Sequence, residues 1–119
     1  MASHKTLKAW VEAREVARGV VSASRDHWRP WAAAPFDQLQ RASLSVQLNI
    51  AEGWSFGPSA TRDRHLEIAY GSAREAHEVI ELMQDTQVLP PRIAAELWRH
   101  SELTIKLLVG LLQRTRPRA

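Results

Sequence analysis

The sequence contains no cysteine. That removes thiolate catalysis, cysteine zinc sites and iron–sulfur clusters, and it fits a reducing compartment. No segment approaches the roughly 18 to 20 apolar residues of a membrane span. Met1–Lys8 also lacks the run of about seven or more apolar residues that a secretion signal needs. These absences predict a cytoplasmic protein with no membrane contact. Glycines number five and prolines six, so long stretches run without a breaker. Strand-like alternation, low-complexity tracts and internal repeats are missing as well.

Catalytic signatures are equally scarce. There is no glycine-rich phosphate loop and no Gly-x-Ser-x-Gly turn. His4, His27, His65, His77 and His100 are too dispersed for a paired-histidine metal motif. No glutamate has a histidine three residues on, as carboxylate-bridged di-iron bundles require. Glu96 and His100, four apart, read as a surface helix pair. Arg74 lies too near His77, and Arg92 too far from His100, for the spacing of HEPN-type ribonucleases. The expectation is a protein that is not an enzyme and holds no cofactor or metal.

What is present points to one helical domain spanning residues 1–119. A 13.5 kDa chain that is 45% hydrophobic and 24% charged is ordinary for a globular protein and too apolar for a disordered one. The net charge is a modest +3, yet thirteen of the sixteen basic residues are arginine. Arginine suits phosphate and carboxylate, although GC-rich coding produces the same bias. Arg116 and Arg118 lie in a basic tail, residues 115–119, which with Arg114 just before it carries three positive charges without an apolar anchor and is expected to be free to touch an anionic partner.

Three breaker-rich stretches, Trp28–Pro35, Gly53–Ser59 and Thr86–Pro91, leave four amphipathic segments. Helices are predicted over 6–28, 37–53, 59–85 and 91–114. The first gathers Trp10, Ala13, Ala17, Val20, Val21, Ser24 and Trp28 on one side, with Lys8, Glu12 and Glu15 opposite. Asp37 with Gln40 reads as a capping box, and Pro91 suits a first turn. The third aligns Leu66, Ala69, Ala73, Ala76, Ile80 and Met83. Short connections imply antiparallel neighbours, and so an all-α, up-down-up-down four-helix bundle. Trp10, Trp28, Trp31, Trp54 and Trp98 are expected in its core, although indoles also stack on bases.

Two helices carry more apolar surface than one core needs. Helix 2 has a complete stripe from Phe36 to Trp54 and a second one, Leu44, Leu48 and Ala51, on its far side. Helix 4 spreads its apolar residues widely, Trp98, Ile105 and Val109 among them. This predicts self-association through Leu44, Leu48, Ala51, Trp98, Ile105 and Val109; the competing reading is a wide core with scattered exposed side chains. Arg41, Ser45, Asn49 and Glu52 stack between the two stripes of helix 2. Helix 3 offers Ser72 and Glu75 at the margin of its apolar sector, beside Gly71, whose cost inside a helix is explained by a close helix approach. These groups predict a buried structural polar network, with a ligand or nucleic-acid contact as the alternative.

Arg41-Ala-Ser-Leu-Ser-Val-Gln-Leu-Asn-Ile-Ala-Glu-Gly53 and Ala69-Tyr-Gly-Ser-Ala-Arg-Glu75, with Leu7, Ala9 and Trp10 near the start, resemble the paired signatures of the bacterial four helix bundle protein family. That family includes proteins encoded in intervening sequences of 23S ribosomal RNA genes. The accessory variability determinant of diversity-generating retroelements is related to it. Gln47 stands where the family usually has proline, so a straighter helix 2 is expected. The resemblance implies a ring-forming homo-oligomer, commonly a pentamer, with no established enzymatic activity. It also implies contact of basic surface with RNA, DNA or a reverse transcriptase. The expected function is a non-catalytic scaffold or accessory protein, with Arg41, Arg114, Arg116 and Arg118 as candidate nucleic-acid contacts. The alternative is a small ligand-binding or hydrolytic bundle with Asn49, Glu52 and Glu75 in an internal pocket.

Overall fold

The structure is a computed structural model that describes residues 3–115. Four long α-helices account for most of them: α1 (Lys8–His27), α2 (Ala33–Trp54), α3 (Ala60–Asp85) and α4 (Pro91–Thr115). Two short 3-10 turns precede α1 and α2, His4–Thr6 and Pro30–Ala32, and no strand occurs among the described residues. Each helix packs on its chain neighbours, and α1 also packs on α4. Among the described residues no helix is long and apolar enough to cross a membrane.

Local chemistry sets the helix ends. Ser59 caps α3 by accepting the Arg62 N–H at 3.1 Å, and Asp63 in the first turn complements the helix dipole. Pro91 opens α4 as expected. α2, by contrast, begins at Ala33 rather than near Asp37. Pro35 does not break it, because in a first turn the missing N–H has no helical acceptor to lose. The α2 helix runs unbroken past Gln47 to Trp54. α1 starts two residues later than expected, after the 3-10 turn capped by Ser3.

The core consists of two apolar clusters. One joins Val16, Val20, Phe36, Leu39, Ile80, Met83, Leu89 and Leu97; the other joins Trp10, Val46, Ile50, Leu66, Leu108 and Leu111. Between them sit the buried hydroxyls of Ser43, Ser101 and Thr104. Each donates to a carbonyl of its own helix, Gln40, Trp98 and His100 respectively, so burial leaves none unpaired. The expected stripe of α3 is buried throughout. That of α1 needs correction: Val21 and Trp28 are exposed, while Ala9, Val16 and Ala23 take part in the core.

Candidate interaction site on the α2–α3 face

α2 and α3 meet along a polar seam. The Gln38 amide donates to the Glu75 carboxylate, and Ser45 Oγ lies 2.8 Å from Ser72 Oγ. The Asn49 amide nitrogen donates to the Ser45 carbonyl at 2.9 Å and to Ser45 Oγ at 3.2 Å. Asn49 Oδ1 then faces His65 Nδ1 at 3.0 Å. An amide oxygen only accepts, so His65 carries its proton on Nδ1 in this contact.

The seam thus brings together Ser45, Asn49, Ser72 and Glu75 of the expected network, but not Arg41 or Glu52, which are exposed. Helical rotation explains the difference. At about 100° per residue, Gln38, Ser45 and Asn49 fall within roughly 40° of one another, whereas Glu52 and Arg41 lie about 20° to 80° further round. Two members were missed, Gln38 and His65. Gln38 stands two turns before Ser45, a signal the sequence does contain. The place of His65 depends on how α3 leans on α2.

The seam closes at the α2–α3 turn. A Cβ on Gly53 would sit 2.8 Å from His65 Cβ and 3.4 Å from the Arg62 carbonyl oxygen, so this is the close approach that a glycine permits. Gly71 is not such a place, since a Cβ there would meet nothing within 4 Å. Arg62, which the sequence did not single out, is buried at the turn. Its Nε and Nη2 donate to the Phe56 carbonyl at 2.9 and 2.5 Å, and its guanidinium carbon lies 3.8 Å from the Trp54 ring centroid. Carbonyl and π-face together compensate the buried cation. Phe56 stacks on His65, with ring centroids 5.8 Å apart.

Outside the seam the face carries exposed apolar side chains among charged ones such as Arg41, Glu52 and Arg64. Leu44 is 46% exposed, Leu48 61% and Ile68 41%, with Gly71 exposed on the same side of α3. The other expected interface residues are largely consumed within the chain. Ala51 and Ile105 pack against the Trp10 cluster, Trp98 against the Phe36 cluster, and Val109 is half-buried. Trp54 is half-buried beneath Arg62, and Trp10 and Trp98 join the core, but Trp28 and Trp31 stand in solvent. Arg114 is exposed in the last turn of α4, with Nε donating to the Gly110 carbonyl at 3.3 Å. Arg116 and Arg118 lie outside the described residues.

No internal pocket unites Asn49, Glu52 and Glu75, because both glutamates are exposed. A small cavity between the core clusters measures about 10 Å³ and is lined by residues such as Ala13, Ser43, Ala73 and Thr104. That is about the size of one water. His77 links Ser101 Oγ, 2.7 Å from Nδ1, to Glu81, 3.1 Å from Nε2. The order matches a hydrolase triad, but Ser101 is only 2% exposed and its hydroxyl is out of reach of a substrate. His100 pairs with Glu12 across α1 and α4 at 2.5 Å, not with Glu96, which pairs with Arg92. Among the described residues no group of three or more His, Asp or Glu side chains gathers to hold a metal.

Fold and seam together define a small all-α protein built of four helices. The chain matches the model of the 23S rRNA-intervening sequence protein over residues 5–110, and it belongs to that family. Its fold is similar to the crystal structure of a protein with unknown function from the S23 ribosomal protein family of Bacteroides thetaiotaomicron VPI-5482. The TM-score is 0.77 at 20% identity, covering 88% of this chain and 98% of that one. At that identity the likeness speaks for the fold alone. No curated protein matches the sequence.

Proposed function

We propose that this protein is a non-catalytic, self-assembling scaffold of the cytoplasm, an antiparallel up-down-up-down bundle whose α2–α3 face joins copies into a ring, with a pentamer as the expected number. Antiparallel packing is supported by the seam, where partner numbers on α3 fall from 75 to 72 to 65 as those on α2 rise from 38 to 45 to 49. The observation that carries the assembly is Gly71. Inside a helix glycine costs about 1 kcal/mol relative to alanine, yet beyond its own helix backbone nothing among the described residues lies within 4 Å of where a Cβ would be. The bare backbone is useful to a second chain that packs closely, and Ile68, one turn before it, with Leu44 and Leu48 on α2 supplies exposed apolar surface for the contact. In this reading the basic surface of the assembly, including Arg41 and Arg114, docks nucleic acid or a nucleic-acid enzyme such as a reverse transcriptase.

Light scattering on the purified protein tests the assembly. The wild type is expected to be oligomeric, and Leu48→Glu to be monomeric with helicity retained, because a charge would be buried in the contact. A monomeric wild type refutes the scaffold.

A further inference from the structure

The most solvent-exposed tryptophan is not on the α2–α3 face. Trp31 is 73% exposed and Trp28 41%, and they flank Arg29 and Pro30 at the corner between α1 and α2. Large indoles left in water by their own chain are typical anchors for a partner. The corner is held firmly. Trp28 N–H donates to the Ser24 carbonyl at 3.1 Å, Ala32 N–H to the Arg29 carbonyl at 2.9 Å, and Arg29 Nη1 to the Trp28 carbonyl at 2.7 Å. Ala32, next to Trp31, is buried in the core. Proline at position 30 restricts the turn further. Two aromatic surfaces are therefore presented on a rigid support rather than on a loose loop.

The charge around them favours one kind of occupant. Residues 18–36 contain Arg18, Arg25 and Arg29 against a single acid, Asp26. Arg14, Arg18 and Arg25 fall within about 40° on the solvent side of α1, a ridge about 16 Å long that leads to the corner. All three are exposed. The ion pairs Arg18–Glu15, at 3.5 Å, and Arg25–Asp26, at 3.2 Å, join solvent-exposed side chains, and pairs of that kind yield readily to a polyanion. Indole faces stack on bases without regard to sequence, and arginine forks bind phosphate, but a duplex hides its base faces.

We infer that the α1–α2 corner, with Trp28, Trp31, Arg25 and Arg29, is a stacking site for single-stranded nucleic acid, and that the Arg14–Arg18–Arg25 ridge takes the phosphates of the same strand. This rests on the reading that the assembly docks nucleic acid, and adds a stacking contact to the basic surface that includes Arg41 and Arg114. Sequence-tolerant, salt-sensitive binding follows, with single strands preferred over duplex.

The test is fluorescence anisotropy at low salt on the full chain, with a labelled oligonucleotide of about twenty uridines and a duplex of the same length. The wild type should bind the single strand more tightly than the duplex. Trp28→Ala combined with Trp31→Ala should weaken single-strand binding at least about tenfold, and the pair of Phe substitutions, which keep a π-face, should recover most of it. Arg25→Ala should flatten the slope of log affinity against log salt by about 0.7. Trp31 is 73% exposed, so Trp31→Ala alone should melt near wild type and still weaken single-strand binding. Binding that ignores the tryptophans but falls with Arg41→Ala or Arg114→Ala overturns the corner and leaves the docking reading standing. No binding of either probe overturns both. Loss of oligomer mass in the Ala variant, or a blue shift of wild-type emission on anionic vesicles without single-strand binding, also overturns it, assigning the corner to a second copy or to a membrane surface.

Discussion

Asn49 Oδ1 accepts from His65 Nδ1 at 3.0 Å while the amide nitrogen of the same side chain is committed to Ser45. One asparagine thereby ties the C-terminal part of α2 to the start of α3. Removing it leaves the half-buried His65 donor without its acceptor, while Ser45 Oγ keeps Ser72 Oγ at 2.8 Å. Asn49→Ala is expected to destabilise by about 1 to 3 kcal/mol. Glu52→Ala, three residues on but exposed, should change stability by less than about 0.5 kcal/mol. Denaturant melts of the two variants decide; equal losses would place Glu52 back in the network.

The two glycines of this face should respond in opposite ways. Gly53→Ala forces a Cβ to within 2.8 Å of His65 Cβ, an atom held close to the α3 backbone, and should cost about 1 to 3 kcal/mol through displacement of the turn. Gly71→Ala meets no described atom beyond its own helix backbone and should stabilise the isolated fold by about 0.5 to 1 kcal/mol. If a second chain lies against Gly71, the same variant weakens assembly. Measured at concentrations above and below dissociation, Gly71→Ala should therefore gain stability only in the dilute sample.

At the end of α3, Gln87 has φ 59°, a left-handed conformation. The Val88 N–H reaches the Met83 carbonyl at 2.9 Å and the Gln87 N–H the Gln84 carbonyl at 3.2 Å, which is the Schellman arrangement that favours glycine at this place. Gln87→Gly is expected to stabilise by about 0.5 to 1 kcal/mol because it removes the Cβ penalty. A lowered melting temperature would show that the side chain makes a contact worth more than the strain.

Ser24 Oγ is buried without a hydrogen-bond partner. An unsatisfied hydroxyl costs stability that an apolar side chain of similar size does not. Ser24→Ala should raise the melting midpoint or leave it unchanged. A clear loss would mean that the hydroxyl is satisfied in solution, for instance by an ordered water.

Where sequence and structure agree and differ follows from one geometric fact. Periodicity states the angle of a residue around its own helix, so the buried stripe of α3 and the two faces of α2 were legible from spacing alone. It does not state where the neighbouring helices stand. Glu12, expected in solvent opposite the α1 stripe, lies at an angle that α4 covers, and it meets His100 there. Trp28 and Trp31 have the character of core residues, but they fall where the chain turns the corner and no helix remains to cover them. Trp98 and Ile105, counted as surplus on α4, are needed once α1 and α3 flank that helix on both sides.

The sequence by itself determined four helices, the absence of cysteine chemistry and, through the Arg41–Gly53 and Ala69–Glu75 motifs, the family. These properties reside in local spacing and residue type, which survive without knowledge of packing. Only the tertiary structure decided which polar groups share the seam, that Gly53 rather than Gly71 marks the close approach, that Arg62 is buried against Trp54, and that two tryptophans are left in water. Each of these depends on the relative rotation and lean of two helices, a quantity set by the fit of many side chains at once and carried by no single stretch of the chain.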